Sequence, residues 1–128
     1  MATFLNQAKA KILDMRANGT SASLQITHFK VGNAPQYTPD PAQTDLVSPI
    51  EISSGTYTKA INSVTSVGTY TVQYECLLTE DEAIGEKITE LALIDSDGLV
   101  TCIKTFPWKE KTNAREMIFK INDTFEEG

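Results

Sequence analysis

Two cysteines, one histidine and one tryptophan are all that the 128 residues contain of these types, and their scarcity removes several chemistries at once. Cys76 and Cys102 stand far apart, with no CxxC pair and no histidine beside them. That spacing argues against a disulfide framework or a zinc site and for reduced thiols carried on strands. His28 has no second ligand type at metal spacing and no Ser-His-Asp partners, so beside Phe29 it reads as a hydrogen-bonded structural residue. The glycines are scattered as turn and cap residues, which leaves no loop to cradle phosphate. No run approaches the ~20 apolar residues of a membrane span. The N-terminus, MATFLNQAKAKILDMRANG, lacks the apolar core and cleavage site of a secretory signal, so synthesis in the cytoplasm is expected. Basic residues are also few: eleven Lys and Arg against seventeen Asp and Glu give a net charge of −6. With no basic cluster along the chain, neither nucleic acid nor an anionic membrane is an expected partner. No cofactor and no metal are implied.

What is present describes one domain at residues 1–128, mainly β, with an antiparallel β-sandwich or small barrel and one N-terminal amphipathic helix. Phe4, Leu5, Ala8, Ile12 and Met15 recur at helical spacing and predict a helix over about 4–17, capped by Thr3 and ended by Asn18-Gly19. At roughly 14 residues such a helix is marginal alone and must dock its apolar stripe, on its own sheet or on a neighbouring subunit. From Ser21 to about residue 122 the period changes to that of strands. Ser23–Gly32, Glu51–Val64, Thr69–Thr79, Lys87–Ile94, Leu99–Phe106 and Glu116–Asn122 are the expected strands, with turns at Ser66-Val67-Gly68 and Ser96-Asp97-Gly98. Residues 123–128 are expected to form a polar tail. Asn33–Pro49 holds four of the five prolines and predicts a long ordered loop, because each proline removes a ladder donor. Leu91–Ile94 and Met117–Ile121 are apolar on both faces, so each needs cover on two sides.

Other groups favour structural readings. Asp95-Ser96-Asp97-Gly98 resembles the opening of a calcium loop, but Gly98 falls at the fourth place and Phe106 stands where a bidentate Glu belongs. A hairpin turn fits better. Glu80-Asp81-Glu82 reads as a solvated acidic turn after Thr79. The sequons at Asn18 and Asn122 have no secretory route to serve them. Trp108 lies at a strand end, where an aromatic either anchors a partner or fills a sandwich edge. Tyr37 and Leu46 are the candidate apolar anchors of the proline-rich loop. With Phe4, Leu5, Ile12, Met15 and Trp108 they make up the expected protein interface, and no catalytic residue is proposed.

The order of these pieces carries a resemblance. The helix ending at Gly19, the strand Ile26-Thr27-His28-Phe29-Lys30-Val31-Gly32-Asn33, the loop Tyr37-Thr38-Pro39-Asp40-Pro41-Ala42-Gln43-Thr44-Asp45-Leu46 and the hairpin Ile88–Val100 together resemble the N-terminal domain of bacteriophage tail-collar fibre proteins. That family usually carries Asp where Asn33 stands and commonly Gly where Ala92 stands. The resemblance implies a virion protein of the tail, a tail-fibre or baseplate attachment adaptor acting by protein–protein contact. Its partners would be other tail, baseplate or fibre proteins, and its favoured state a homotrimer. In the family this domain begins a longer fibre, so a chain of this length is expected to hold the attachment module without shaft or receptor-binding tip. Two rival readings are a collar, neck or capsid-decoration protein, and a cytoplasmic ligand-binding β-sandwich, which would need a deep apolar pocket with convergent polar groups.

Overall fold

The computed structural model describes residues 2–20 and 22–124. In chain order the elements are β1 (Thr3–Phe4), α1 (Asn6–Asn18), β2 (Ile26–Gly32), β3 (Lys59–Ala60), β4 (Ser63–Gly68), β5 (Thr71–Leu78), β6 (Lys87–Asp95), β7 (Val100–Glu110) and β8 (Met117–Thr124). They form a five-stranded sheet of order β1-β7-β6-β2-β3 and a three-stranded sheet of order β4-β5-β8. Every neighbouring pair is antiparallel. The sheets stack as a sandwich and do not close into a barrel, the alternative the sequence left open.

Alternation along the strands divides the core in two. Phe29, Val31, Leu91 and Leu93 of the larger sheet meet Cys76, Leu78, Phe119 and Ile121 of the smaller one. On the opposite face of the larger sheet, Ala92, Ile94, Val100 and Ile103 are covered by Leu5 and Leu46. Hence both faces of Leu91–Ile94 are buried by this chain itself. Each such Leu or Ile contributes about 1.5–3 kcal/mol by leaving water. β8 differs: Phe119 and Ile121 point inward while Ile118 is 50% exposed, so its second apolar face is uncovered.

Several boundaries differ from the sequence reading for identifiable reasons. The helix begins at Asn6, and Thr3 does not cap it; Thr3 and Phe4 pair with Ile103 and Cys102, and Leu5 is the N-cap residue without a side-chain cap. Tertiary partners replace the missing cap, because Leu5 N–H donates to Thr101 O (2.9 Å) and Asn6 N–H to Pro41 O (2.7 Å). At the other end Gly19, at φ 62, returns its N–H to Met15 O as expected. Most of 51–62 is irregular, with only Lys59–Ala60 in a strand. Ile52 and Thr56 bond across a tight turn, and Ala83 N–H takes Ile52 O, which leaves little backbone free for a sheet. Ser66–Gly68 belongs to β4 with an irregularity at its end, and the turn falls at Thr69-Tyr70. Asp123 and Thr124, expected in the tail, close β8, while residues 125–128 lie outside the described residues. The Ser96–Gly98 turn stands as read, with Gly98 at φ 86.

Both thiols are free and buried, and burial pushes each up to about 12. Thiol titration of the native protein near neutral pH is therefore expected to find neither group reactive, and to find both after denaturation. Reaction of either thiol in the folded state would contradict this.

Candidate assembly surface

The proline-rich segment is held by one buried acid. Glu90, the single charge within the apolar stretch of β6, has no exposed surface. Its Oε1 accepts from Tyr37 Oη (2.7 Å) and Val47 N–H (3.0 Å), and its Oε2 from Ser48 N–H (2.8 Å). A buried carboxyl group requires such partners, and three donors from one loop supply them. The clasp is reinforced on both sides. Thr89 Oγ1 donates to Ala34 O and Thr105 Oγ1 to Tyr37 O. Lys30 reaches Asp45, and Asn33 bridges Ser48 to Glu86. Burial, with the Glu90 contact acting in the same direction, pushes the Tyr37 phenol up to about 12, so it remains a donor at any physiological pH. Gly32 completes the fit: a Cβ there would lie 2.0 Å from Glu90 Oε2 and 2.6 Å from Ser48 O.

A second anchor fixes the helix. Lys11 Nζ bonds Asp95, Asp97 and Ser23 O, while the other oxygen of the buried Asp95 accepts Asp97 N–H and Leu99 N–H. The lone pairs that the calcium-loop reading would require are thus engaged. Burial acts to lower the Lys11 pKa, but its bonds to Asp95 and Asp97 outweigh it and the net shift is upward. The bond from Lys11, with that from Ser23 N–H, lowers the Asp97 pKa. Stability from a raised lysine is fully present below its unfolded value of 10.5 and fades as pH climbs through the folded value. Stability from a lowered aspartate is present above 3.8 and fades as pH falls through the folded value. Lys11→Met is expected to cost about 2 kcal/mol by stripping the cation from the buried Asp95 carboxyl. The expected decline of stability above pH 10.5 should be shallower in the variant, which lacks the lysine's share and keeps that of Tyr37 and the two thiols; thermal melts across pH check both.

The expected interface residues divide between interior and surface. Leu5 and Leu46 lie in the second core, and Tyr37 is half-buried in the Glu90 clasp. Phe4 and Ile12 line a groove of about 180 Å³ with Ala8, Leu24, Ile26 and Tyr74, where α1 faces the smaller sheet. Met15 is half-buried at the last turn of α1. Trp108 is 59% exposed near the end of β7, with Lys87 Nζ 4.8 Å from its ring centre. His28 is exposed on β2 and bonds Thr27 Oγ1. Sequence reasoning missed Glu90, whose signal was available as a lone charge amid apolar neighbours, and Ile118. Among the described residues no three His, Cys, Asp or Glu side chains gather as metal ligands would.

These features form a loop face pinned to the larger sheet through Glu90 and an apolar groove beside the helix. No curated protein and no solved structure matches the chain. The model of the family described as phage tail-collar fibre protein, N-terminal, matches residues 1–122, and this chain, a structural protein of the phage tail, belongs to that family.

Proposed function

We propose that the chain is a tail-fibre or baseplate attachment adaptor, non-catalytic and working by surface complementarity as a homotrimer. The observation that carries this reading is the proline-rich loop from Asn33 to Ser48, fixed in place through Glu90 while Val47 projects with 61% of its surface exposed. A loop already ordered loses little entropy on docking, which suits a permanent structural joint. Long loops without secondary structure are uncommon unless they serve binding. The family resemblance supports the three-fold state.

Val47→Asp and Ile12→Asp place charges on the loop face and in the groove without emptying either core. Val47→Asp should change stability by no more than about 0.5 kcal/mol, as exposed substitutions do. Both variants should fold by circular dichroism and be depleted from purified particles by mass spectrometry. Light scattering on the wild type should give three times the 14.1 kDa chain mass. Incorporation of both variants at the wild-type level would refute the attachment surfaces, and a monomer at every concentration would refute the trimer.

A further inference from the structure

The two sheets leave their edges open on the same side of the sandwich. β8 pairs with β5 alone, so its other edge is unpaired along Met117–Thr124 among the described residues. β7 meets β1 only at Ile103 and Cys102, and its later residues lie open on that side. The seam between these edges has an apolar floor: Phe106 and Phe119 stack with centroids 5.2 Å apart, and half-exposed Ile118 flanks them. Lys104, Lys109 and Lys120 line the same hollow of about 110 Å³, with Lys109 Nζ 5.8 and 5.9 Å from the two rings. Among the described residues none of these lysines forms an ion pair, whereas Lys11, Lys30 and Lys59 all do. Three lysines without an ion pair thus gather at one apolar seam in a chain of net charge −6, with Glu75 the acid that stands opposite Lys120 across β5 and β8.

We infer that this seam takes an extended acidic segment of a partner protein, which adds to β8 as a further strand. An open strand edge offers main-chain hydrogen bonds, and a strand's alternation sends one set of side chains toward Phe106, Phe119, Lys104 and Lys109 inside the seam and the other toward Ile118 and Lys120 on the outer face of β8. Eight residues of β8 span about 26 Å, room for a strand of ordinary length. Charge selects the occupant. A second copy presenting the same edge would bring lysine against lysine, and edge lysines are a known defence against such pairing. An acidic strand converts the same charges into attraction. This deepens the attachment reading and rests on it, since it supplies the chemistry of one joint.

The test uses the folded protein and three nine-residue peptides alternating Val with Glu, Ser or Lys, followed by Trp108 fluorescence and by amide hydrogen exchange. The Val/Glu peptide should bind at least about tenfold more tightly than Val/Ser, weaken as salt rises, and slow exchange within Met117–Thr124. Lys104→Glu with Lys120→Glu should transfer the preference to Val/Lys, while Lys9→Glu on the helix should change nothing. Should the double variant misfold, Lys120→Gln at its exposed position and the salt series on the wild type decide. Equal binding of Val/Glu and Val/Ser, protection outside β8, or self-association through this edge without peptide would overturn the inference. Wild-type protein that enters particles but ignores every peptide refutes the seam alone. Protein that binds Val/Glu but never enters particles refutes the attachment reading instead.

Discussion

Glu90→Ala is expected to free the proline-rich loop and to lower stability by about 3 kcal/mol. The substitution leaves Tyr37 Oη, Val47 N–H and Ser48 N–H without their acceptor. Each orphaned donor costs about 1–3 kcal/mol if it stays buried. The sum is less than three full penalties because the loop can lift and rehydrate. That lifting is the functional consequence, since Leu46 then withdraws from the second core. Glu90→Gln separates shape from chemistry. Its amide oxygen can replace Oε1 toward Tyr37 and Val47, but its NH2 then meets the Ser48 N–H, donor against donor. An intermediate loss is therefore expected. Denaturant melts give the energies, and hydrogen exchange at Val47 and Ser48 shows whether the loop has opened; a Glu90→Ala protein with native exchange there would disprove the clasp.

Gly32→Ala should be comparably damaging for a different reason. The backbone at Gly32 is ordinary in φ, so conformational freedom is not at issue. Space is: the new Cβ would sit 2.0 Å from Glu90 Oε2 and 2.6 Å from Ser48 O. A side-chain oxygen can swing aside, but only by abandoning Ser48, and the Ser48 carbonyl moves only with the loop. Overpacking of this kind typically costs 1–3 kcal/mol, and a loss of about 3 kcal/mol is expected here. The two substitutions should couple strongly, because alanine at 90 removes two of the three atoms that the new methyl group strikes, Glu90 Oε2 and Cδ, and leaves only Ser48 O. A double variant whose loss equals the sum of the single losses would show that Gly32 and Glu90 do not share this site.

The sequence disclosed those features whose cause is local. Gly19 and Gly98 mark a helix end and a hairpin because few other residues accept their left-handed backbone. The prolines kept Asn33–Ser48 free of strands, with Pro49 making a single isolated bridge to Gly32, and alternation placed Cys76 and Leu78 on the buried face of β5. The ordered series of turns and strands also carried the family. Where bonding partners come from distant parts of the chain, the same reasoning misplaced boundaries. Phe4 has helical spacing with Ala8 and Met15, yet it pairs with Cys102 in a strand. Glu51–Val64 alternates, yet its backbone is largely engaged in local turns and with Ala83.

The candidate surface was decided almost wholly by tertiary structure. Leu5 and Leu46 have the composition of interface anchors, but the larger sheet turns an apolar outer face toward them and they fill it. Glu90 takes its meaning from a loop some forty residues earlier in the chain. Lys104, Lys109 and Lys120 form no cluster along the sequence; two strands from different sheets bring them over one hydrophobic seam. Periodicity and turn chemistry are properties of neighbouring residues and are written in the order of the chain. Charge convergence and the cover of a second sheet face arise only when distant segments meet, and the packing of the two sheets determines which ones do.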